Sequence, residues 1–212
     1  MAFDTVAPSL AMHQKELVKQ LIVGTLGQVK IPGIVRREDG KQIPDAIPVG
    51  FSSPFRIDGN RLRIAGFVQK KEVIQVVSPF EVIGQDFAPR TPCLKALVEI
   101  LPLAAELKLK LGVWGSAALE IFTGLKYTDE VSDLDLLVGM NGIDRIRTFS
   151  DKLSEVAKEF HCKLDAELDL DVGYGVKVSE LFMDSEMVLA KGLHEVIFLP
   201  RRAILDRMSE VQ

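Results

Sequence analysis

The chain has 212 residues, of which 47% are hydrophobic and 26% charged, a composition typical of a globular protein with one large or two small domains. Its 26 Lys and Arg residues and 30 Asp and Glu residues give a net charge of −4, and no long basic run suggests nucleic acid as a partner. The apolar runs are far shorter than the ~20 residues of a membrane-spanning helix, so membrane residence and disorder are both disfavoured.

Residues 1–90 predict a small β-rich domain. A polar helix is expected over Gln14 to Leu21, and the segments after it are short and separated by turn residues such as Pro32-Gly33 and Asp58-Gly59. Arg56, Arg61 and Arg63 flank the second of these turns and predict a basic hairpin edge. Short segments separated by turn residues are typical of a small antiparallel sheet.

Residues 91–212 predict a second domain in which helices and strands alternate. Thr91 and Pro92 have the residue types of a helix start, and Pro102 predicts a kink or a division of that helix. The expected elements are a helix over 91–110, a buried strand over 111–114, a short helix over 117–122 that ends before Gly124, a strand over 132–138, a helix over 142–160, and then further strands and a terminal helix. This order predicts an α+β domain with a mixed sheet covered by helices.

The turn between the strand over 111–114 and the next helix carries Gly115 and Ser116. Glycine allows the backbone to approach a ligand closely, and the first turn of a helix offers free N–H groups to a phosphate. The simpler alternative is that Ser116 only caps the helix. Trp114, which precedes the turn, is expected to be a core residue, and the alternative is a platform on which a base stacks.

Asp133 and Asp135 lie in the apolar strand Ser132-Asp133-Leu134-Asp135-Leu136-Leu137-Val138. Residues i and i+2 of a strand point to the same side, so the two carboxylates lie about 7 Å apart on one face. A hard divalent cation relieves their repulsion, and Mg²⁺ is expected, with Mn²⁺ as the alternative. Paired metal ions can clamp an in-line displacement at phosphorus, a role that normally requires a third acid. The alternative is a solvated strand end.

The stretch from Lys163 to Asp171 alternates acidic and apolar residues, which predicts a strand with Asp165 and Glu167 on one face. An acidic face in contact with water is the simpler interpretation. Lys191 and the pair Arg201-Arg202 follow apolar segments, so either could reach a bound phosphate group.

Gly-Ser, a helix and then Asp-x-Asp on a strand resembles the nucleotidyltransferase superfamily of the polymerase-beta type. The longer sequence around these motifs is similar to the phosphoribosyl-dephospho-CoA transferases of malonate decarboxylase, the holo-acyl-carrier-protein synthases of that system. It runs from Gly112 to Tyr127 and from Ser132 to Leu137. The Thr123-Gly124-Leu125-Lys126-Tyr127 segment is the distinguishing part. The resemblance extends over roughly residues 30–205.

The resemblance implies an enzyme that takes the prosthetic group from 2′-(5″-triphosphoribosyl)-3′-dephospho-CoA. It implies transfer to a serine of the malonate decarboxylase acyl carrier protein, with release of pyrophosphate. Asp133, Asp135 and Asp165 would then be catalytic and would hold the metal, with Glu167 as the second choice for the third acid. Residues Gly115, Ser116 and Lys191 would bind the donor.

Two other functions remain open on the residues alone. A different metal-dependent nucleotidyltransferase would use the same Gly-Ser and Asp-x-Asp residues on another acceptor, and a binding module of the same fold would have no activity.

Charge and cysteine content add two expectations. Residues 1–90 hold twelve Lys or Arg and nine Asp or Glu, a net of +3, whereas residues 91–212 hold fourteen and twenty-one, a net of −7. Since carrier proteins are usually acidic, the N-terminal domain is the expected docking surface for the carrier or the substrate.

Cys93 and Cys162 lack metal-like spacing, and the N-terminus lacks a basic-then-apolar signal pattern, so a cytoplasmic location is expected.

Overall fold

The computed structural model describes residues 15, 16, 19, 31–37, 43–57 and 59–211. The helix expected over residues 14–21 therefore falls largely outside the described residues, although Lys15, Glu16 and Lys19 are helical. The chain forms two compact units, the first running up to Val76 and including Thr123–Tyr127, the second comprising Val77–Phe122 and Thr128–Gln212. The second unit thus begins before residue 90, where the sequence suggested the division.

The first unit contains the expected antiparallel sheet. Its three strands, in spatial order β1-β2-β3, are β1 (Ile34–Val35), β2 (Ala46–Ile57) and β3 (Asn60–Gln69), and a 3-10 turn at Lys70–Glu72 follows. Ile57 pairs with Asn60, so β2 and β3 form a hairpin with a two-residue loop in which Gly59 has φ +78°. This tight turn is the one expected at this position, and its other residue, Asp58, lies outside the described residues.

The segment Thr123–Tyr127 belongs to this first unit, although it follows a helix of the second unit in sequence. Tyr127 is fully buried, and its hydroxyl donates a hydrogen bond to the Ser52 carbonyl at 2.9 Å. The Arg61 guanidinium lies 5.5 Å from the centre of the Tyr127 ring and also donates to the Tyr127 carbonyl. Tyr127 is therefore held at both its side chain and its backbone.

The second unit is built on a six-stranded mixed sheet in the order β4-β5-β6-β7-β8-β9. Only β5 and β6 are parallel, and the other neighbouring pairs are antiparallel. The strands are β4 (Leu111–Trp114), β5 (Leu134–Gly139), β6 (Leu164–Asp169), β7 (Tyr174–Lys177), β8 (Met187–Gly192) and β9 (Val196–Pro200). The helices are α1 (Pro79–Val82), α2 (Pro92–Glu106), α3 (Gly115–Thr123), α4 (Ile143–Glu159), α5 (Val178–Leu181) and α6 (Arg201–Ser209).

One face of this sheet forms the hydrophobic core with the helices. Leu134, Leu136 and Val138 of β5 are fully buried in one cluster with Phe149 of α4 and Met208 of α6. The residues between them on β5 point to the second face, which α1 covers at Gly112: a Cβ there would lie 3.0 Å from Pro79 and Phe80. The period of two in the sequence thus separates a packed face from a face that carries the acids.

The predicted elements of the second domain are largely present, and the α+β fold class is confirmed. Thr91 is the N-cap of α2 and Pro92 opens that helix, as expected, and α4 spans nearly the range predicted for it. The helix with Pro102 is not divided, since α2 continues through it to Glu106. Among the described residues, no helix is long and apolar enough to span a membrane.

Candidate active site

Three side chains line up across the second face of the sheet. Trp114 of β4 lies opposite Asp135 of β5, and Asp135 lies beside Asp165 of β6 in the parallel ladder. Residues paired in this way point to the same side of a sheet, and neighbouring strands are about 5 Å apart. Asp133 lies just before β5, which begins at Leu134 and not at residue 132 as the sequence predicts, and its negative charge still acts on Asp135. The structure brings together the three acids that the sequence singled out.

The Gly-Ser turn is in direct contact with this acidic group. β4 ends at Trp114 and α3 begins at Gly115, with no residue between them. Gly115 has φ +65°, and a Cβ placed on it would collide with Asp135 Oδ2. Ser116 follows in the first turn of α3, whose N–H groups have no acceptor within the helix. Both the backbone angle and the contact require glycine at 115.

Asp135 is the acid of the site whose pKa is clearly raised. Burial, followed by the negative charges of Asp133 and Asp165, raises the pKa of Asp135 from 3.8 to about 6, with Glu167 adding to the rise and Lys163 opposing it. The group is thus a carboxylate placed among other carboxylates and shielded from water. A cation would relieve this repulsion.

The lysines Lys177 and Lys163 pair with the acids that flank Asp135. Lys177 Nζ donates to Asp165 Oδ2 at 2.7 Å, and this hydrogen bond raises the pKa of Lys177. Lys163 Nζ lies 3.9 Å from Asp133 Oδ2, a looser and more exposed ion pair. Asp133, Asp135 and Asp165 together form what we call the acidic row, and these two lysines place cationic groups at its margin.

Lys191, the expected donor-binding residue, forms an ion pair with Glu167, the second choice for the third acid. Its Nζ lies 2.6 Å from Glu167 Oε1, and Glu167 is only 8% exposed. β7 lies between β6 and β8, and Gly175 of β7 leaves room for Glu167, whose Oε2 would lie 3.4 Å from a Cβ at residue 175. Glu167 is therefore less accessible to a ligand than Asp165.

The other basic candidates are engaged elsewhere. Arg201 donates to the carbonyls of Ser185 and Leu181, and Arg202 pairs with Asp206 at 2.8 Å within α6. These contacts hold the start of α6 and are separate from the acidic row.

No group of three or more His, Cys, Asp or Glu residues is arranged as a ready metal cage in the part of the chain that the structure describes. Asp165 is paired closely with Lys177 and Asp133 only loosely with Lys163, so Asp135 and Asp133 offer a cation more negative charge than Asp165 does. Oxygen ligands are the type that Mg²⁺ prefers, and the raised pKa of Asp135 marks a position where a cation would be stabilised. The residues fit a divalent cation in chemistry.

Sequence reasoning misplaced one residue of the site and missed another. Trp114 was expected in the core, but it is 40% exposed, because its place in β4 puts it on the acidic face beside Asp135. Lys177 was not singled out, since a lysine at the end of a strand is most often solvated. Its role depends on the pairing of β6 with β7, which no local pattern in the sequence indicates.

A network of polar side chains supports the loop that leads to Asp133. Arg90 binds both carboxylate oxygens of Glu120 at 2.9 Å and donates to the Thr128 carbonyl at 2.6 Å. Glu120, on α3, also accepts from the Thr128 N–H at 2.6 Å. The helix that starts at the Gly-Ser turn thereby fixes the beginning of the segment that ends at the Asp pair.

Comparison with known proteins shows which family the chain belongs to. Residues 82–202 match the C-terminal domain of the phosphoribosyl-dephospho-CoA transferase MdcG, and residues 5–79 match its N-terminal domain. No solved structure matches the chain.

Curated relatives agree with the family match. A phosphoribosyl-dephospho-CoA transferase of Xanthomonas euvesicatoria pv. vesicatoria is 29% identical over 84% of this chain and 83% of its own length. One from Xanthomonas axonopodis pv. citri is 26% identical over 84% of this chain and 83% of its own. One from Pseudomonas syringae pv. tomato is 28% identical over 67% and 65%, respectively. The chain therefore belongs to the MdcG family of phosphoribosyl-dephospho-CoA transferases.

Proposed function

We propose that the protein transfers phosphoribosyl-dephospho-CoA from 2′-(5″-triphosphoribosyl)-3′-dephospho-CoA to a serine of the malonate decarboxylase acyl carrier protein. The observation that carries this proposal is the contact between the Gly115 turn and Asp135, which lies in register with Asp165. It combines free helix N–H groups with a row of carboxylates, the two parts that a phosphorus-centred transfer requires.

The reaction exchanges one bond at phosphorus. The serine oxygen attacks the phosphorus next to the ribose, a new P–O bond forms, and the bond to the departing pyrophosphate breaks. The serine proton must leave in the same step, and Asp165 is the proposed base if it is not a metal ligand. The N–H groups of the first turn of α3, with Ser116, would hold phosphate oxygens. Lys191 is the proposed cationic contact to the donor.

Mg²⁺, or Mn²⁺ in its place, is part of this proposal. Asp133 and Asp135 would hold it, with Asp165 as a third ligand unless it serves as the base, and the ion would supply positive charge beside the phosphate oxygens. The support is the raised pKa of Asp135, which burial and the neighbouring carboxylates cause. The opposing feature is the Lys177 ammonium group, which competes with a cation for Asp165.

The identity of the acceptor is the most specific part of the proposal. The net charge of +3 on residues 1–90 complements an acidic carrier protein, and exposed arginine on the β2–β3 hairpin, such as Arg63, would contribute to docking. The two free cysteines, Cys93 and Cys162, fit a reducing compartment, and a cytoplasmic site of action is included in the proposal.

Intact-mass spectrometry tests the transfer directly. The protein, Mg²⁺ and the triphosphoribosyl donor are incubated with the apo carrier subunit, and a mass increment equal to phosphoribosyl-dephospho-CoA is expected on the carrier. A carrier whose acceptor serine is replaced by alanine should gain nothing. An unmodified carrier in the presence of a folded enzyme would refute the proposed acceptor.

The same assay separates the other functions considered. Transfer that proceeds equally well to an unrelated acyl carrier protein would make the acceptor general, and modification of the carrier by ATP in place of the donor would indicate a different nucleotidyl transfer. An Asp135→Asn variant serves as the catalytic control, because it removes one negative charge from the acidic row.

A further inference from the structure

Trp114 holds an unusual position for a large aromatic residue. The other residues of β4, Leu111 to Val113, are buried, whereas Trp114 is 40% exposed. It is the last residue before the Gly115 turn and it lies directly opposite Asp135. The indole therefore borders the acidic row at the point where the sheet meets the N-terminus of α3.

The exposure is a consequence of the strand period, but it is costly. Alternation places residues 112 and 114 on the second face, where Pro79 and Phe80 of α1 lie against Gly112 while Trp114 remains 40% exposed. Leaving much of an indole in water forfeits about 25 cal/mol for each Å² of apolar surface that could have been buried. A partly exposed indole beside these acids offers a surface on which a flat ring can stack.

We propose that the indole of Trp114 is the platform on which the adenine ring of the donor stacks. This inference rests on the proposed function, because that function places the triphosphate at Asp135 and Gly115. In the donor, only two ribose rings separate the adenine from the phosphorus that reacts. Trp114 is the neighbour of Asp135 across the sheet, so it is within the span of those two sugars.

The chain provides its own probe for this inference. Trp114 is the sole tryptophan of the 212 residues, so the tryptophan fluorescence of the whole protein reports on this one ring. The probes are AMP and 3′-dephospho-CoA, which contain adenine, and 4′-phosphopantetheine and tripolyphosphate, which do not. N-acetyltryptophanamide with the same additions corrects for absorption by the nucleotides.

The expected result is saturable quenching by AMP and by 3′-dephospho-CoA and none by the two compounds without adenine. Quenching by 4′-phosphopantetheine alone would assign the indole to the pantetheine arm and overturn the proposal. Quenching only by the apo carrier protein would assign it to the acceptor and would also overturn it. A spectrum unchanged by 3′-dephospho-CoA at millimolar concentration overturns it as well.

Substitution gives a second, independent measurement. Trp114→Leu should weaken binding of 3′-dephospho-CoA in a calorimetric titration by about 5- to 150-fold, the loss of one base stack, while Trp114→Phe should retain most of the affinity. Phe198→Leu is the matched control. Phe198 is 67% exposed on the same sheet but on the edge strand β9, and this change should leave the affinity as it is. Equal affinity of Trp114→Leu and the wild type would contradict the proposal.

The outcomes keep this inference separate from the proposed function. Unmodified carrier together with adenine-dependent quenching refutes the proposed transfer and leaves an adenine site at Trp114. Normal carrier modification by Trp114→Leu with an unchanged KM for the donor refutes the stacking and leaves the transfer. The KM for the donor should rise in Trp114→Leu while kcat changes little, because stacking contributes to binding and not to the reacting centre.

Discussion

A side chain at residue 115 and the carboxylate of Asp135 cannot both occupy the space between them. The Cβ of any residue other than glycine would overlap Asp135 Oδ2, and the φ of +65° at this position disfavours such a residue independently. The Gly-Ser turn and the Asp pair, which are separate motifs in the sequence, therefore form a single site. The absence of a side chain at residue 115 allows this turn and the Asp135 carboxylate to lie this close together.

Gly115→Ala should lower the transfer rate by about 100-fold, because the added Cβ must displace either the turn or Asp135, and misplacement by about 1 Å has effects of that size. The free energy of unfolding should fall by about 1–2 kcal/mol from the left-handed backbone alone. Transfer assays and urea denaturation measure the two effects.

Gly173→Ala is the control for that prediction. Gly173 has φ +83°, but no atom lies within 4 Å of a Cβ built on it. It should therefore show the loss of about 1–2 kcal/mol that the left-handed backbone causes, with a nearly normal transfer rate. If both variants lost activity equally, the contact with Asp135 would not be the cause.

Asp135→Asn should abolish transfer while making the folded protein more stable above pH 6. The folded-state pKa is raised from 3.8 to about 6, so the ionised carboxylate is less favourable in the fold than in the unfolded chain. Its penalty is absent below about pH 4, grows as the pH rises from about 4 to 6, and is constant above that. The amide has no such penalty.

Melting temperatures measured from pH 4 to 8 test whether Asp135→Asn is more stable than the wild type. The difference between Asp135→Asn and the wild type should be small at pH 4 and should increase in favour of the variant up to about pH 6, where it levels off. A wild-type protein that is the more stable of the two at pH 7 would show that Asp135 is compensated by a partner.

The elements of the site could be predicted from the sequence because their signals are local. Alternation in β5 predicts that Leu134 and Leu136 are buried and that Asp135 lies on the opposite face, and the glycine and proline positions predict the turns. Cap chemistry located the start of α2 at Thr91. Each of these patterns depends on neighbours within a few residues.

The pairing partners could not be predicted, because they depend on strand order. Lys177 reaches Asp165 only because β7 lies beside β6, and Lys191 reaches Glu167 across β7. Trp114 is predicted to be a core residue because its hydrophobicity is a local property, whereas its 40% exposure depends on which elements pack against β4. Pro102 did not divide α2, since the buried side chains around it favour a continuous helix.

Lys177→Gln should shift the charge of the site towards negative. Loss of the ammonium group leaves Asp165 without its 2.7 Å partner, so a divalent cation should bind more tightly and the anionic donor more weakly. We expect the Mg²⁺ midpoint in a thermal-shift titration to fall, and the KM for the donor to rise, by about 2- to 5-fold each, the size typical of a partly exposed pair.

Lys152→Gln is the matched change. Lys152 and Glu155 form an exposed ion pair of 2.8 Å on α4. Its loss should alter neither the Mg²⁺ midpoint nor the KM. A Lys177→Gln variant that bound Mg²⁺ as the wild type does would mean that Asp165 takes no part in holding the ion.

Tyr127→Phe should destabilise the first unit, because it removes a buried hydrogen bond and leaves the Ser52 carbonyl without that donor. Burial raises the pKa of Tyr127 to about 12, against the opposing charge of Arg61, so the hydroxyl remains a neutral donor throughout the physiological range. The expected loss is about 1–3 kcal/mol in the free energy of unfolding, the cost of an unsatisfied buried polar group. Calorimetric unfolding measures it.

The chain has only one other tyrosine, Tyr174, and the same substitution there is the control. The Tyr174 hydroxyl donates to Glu195 Oε1 at 2.6 Å in an exposed position, where water can replace the lost partner, so Tyr174→Phe should cost less than about 1 kcal/mol. Lys126 precedes Tyr127, so weaker anchoring of the Thr123–Tyr127 segment should also make the chain more readily cleaved by trypsin after that lysine. Equal stability and equal cleavage of the two variants would show that the Ser52 carbonyl finds another donor when the Tyr127 hydroxyl is removed.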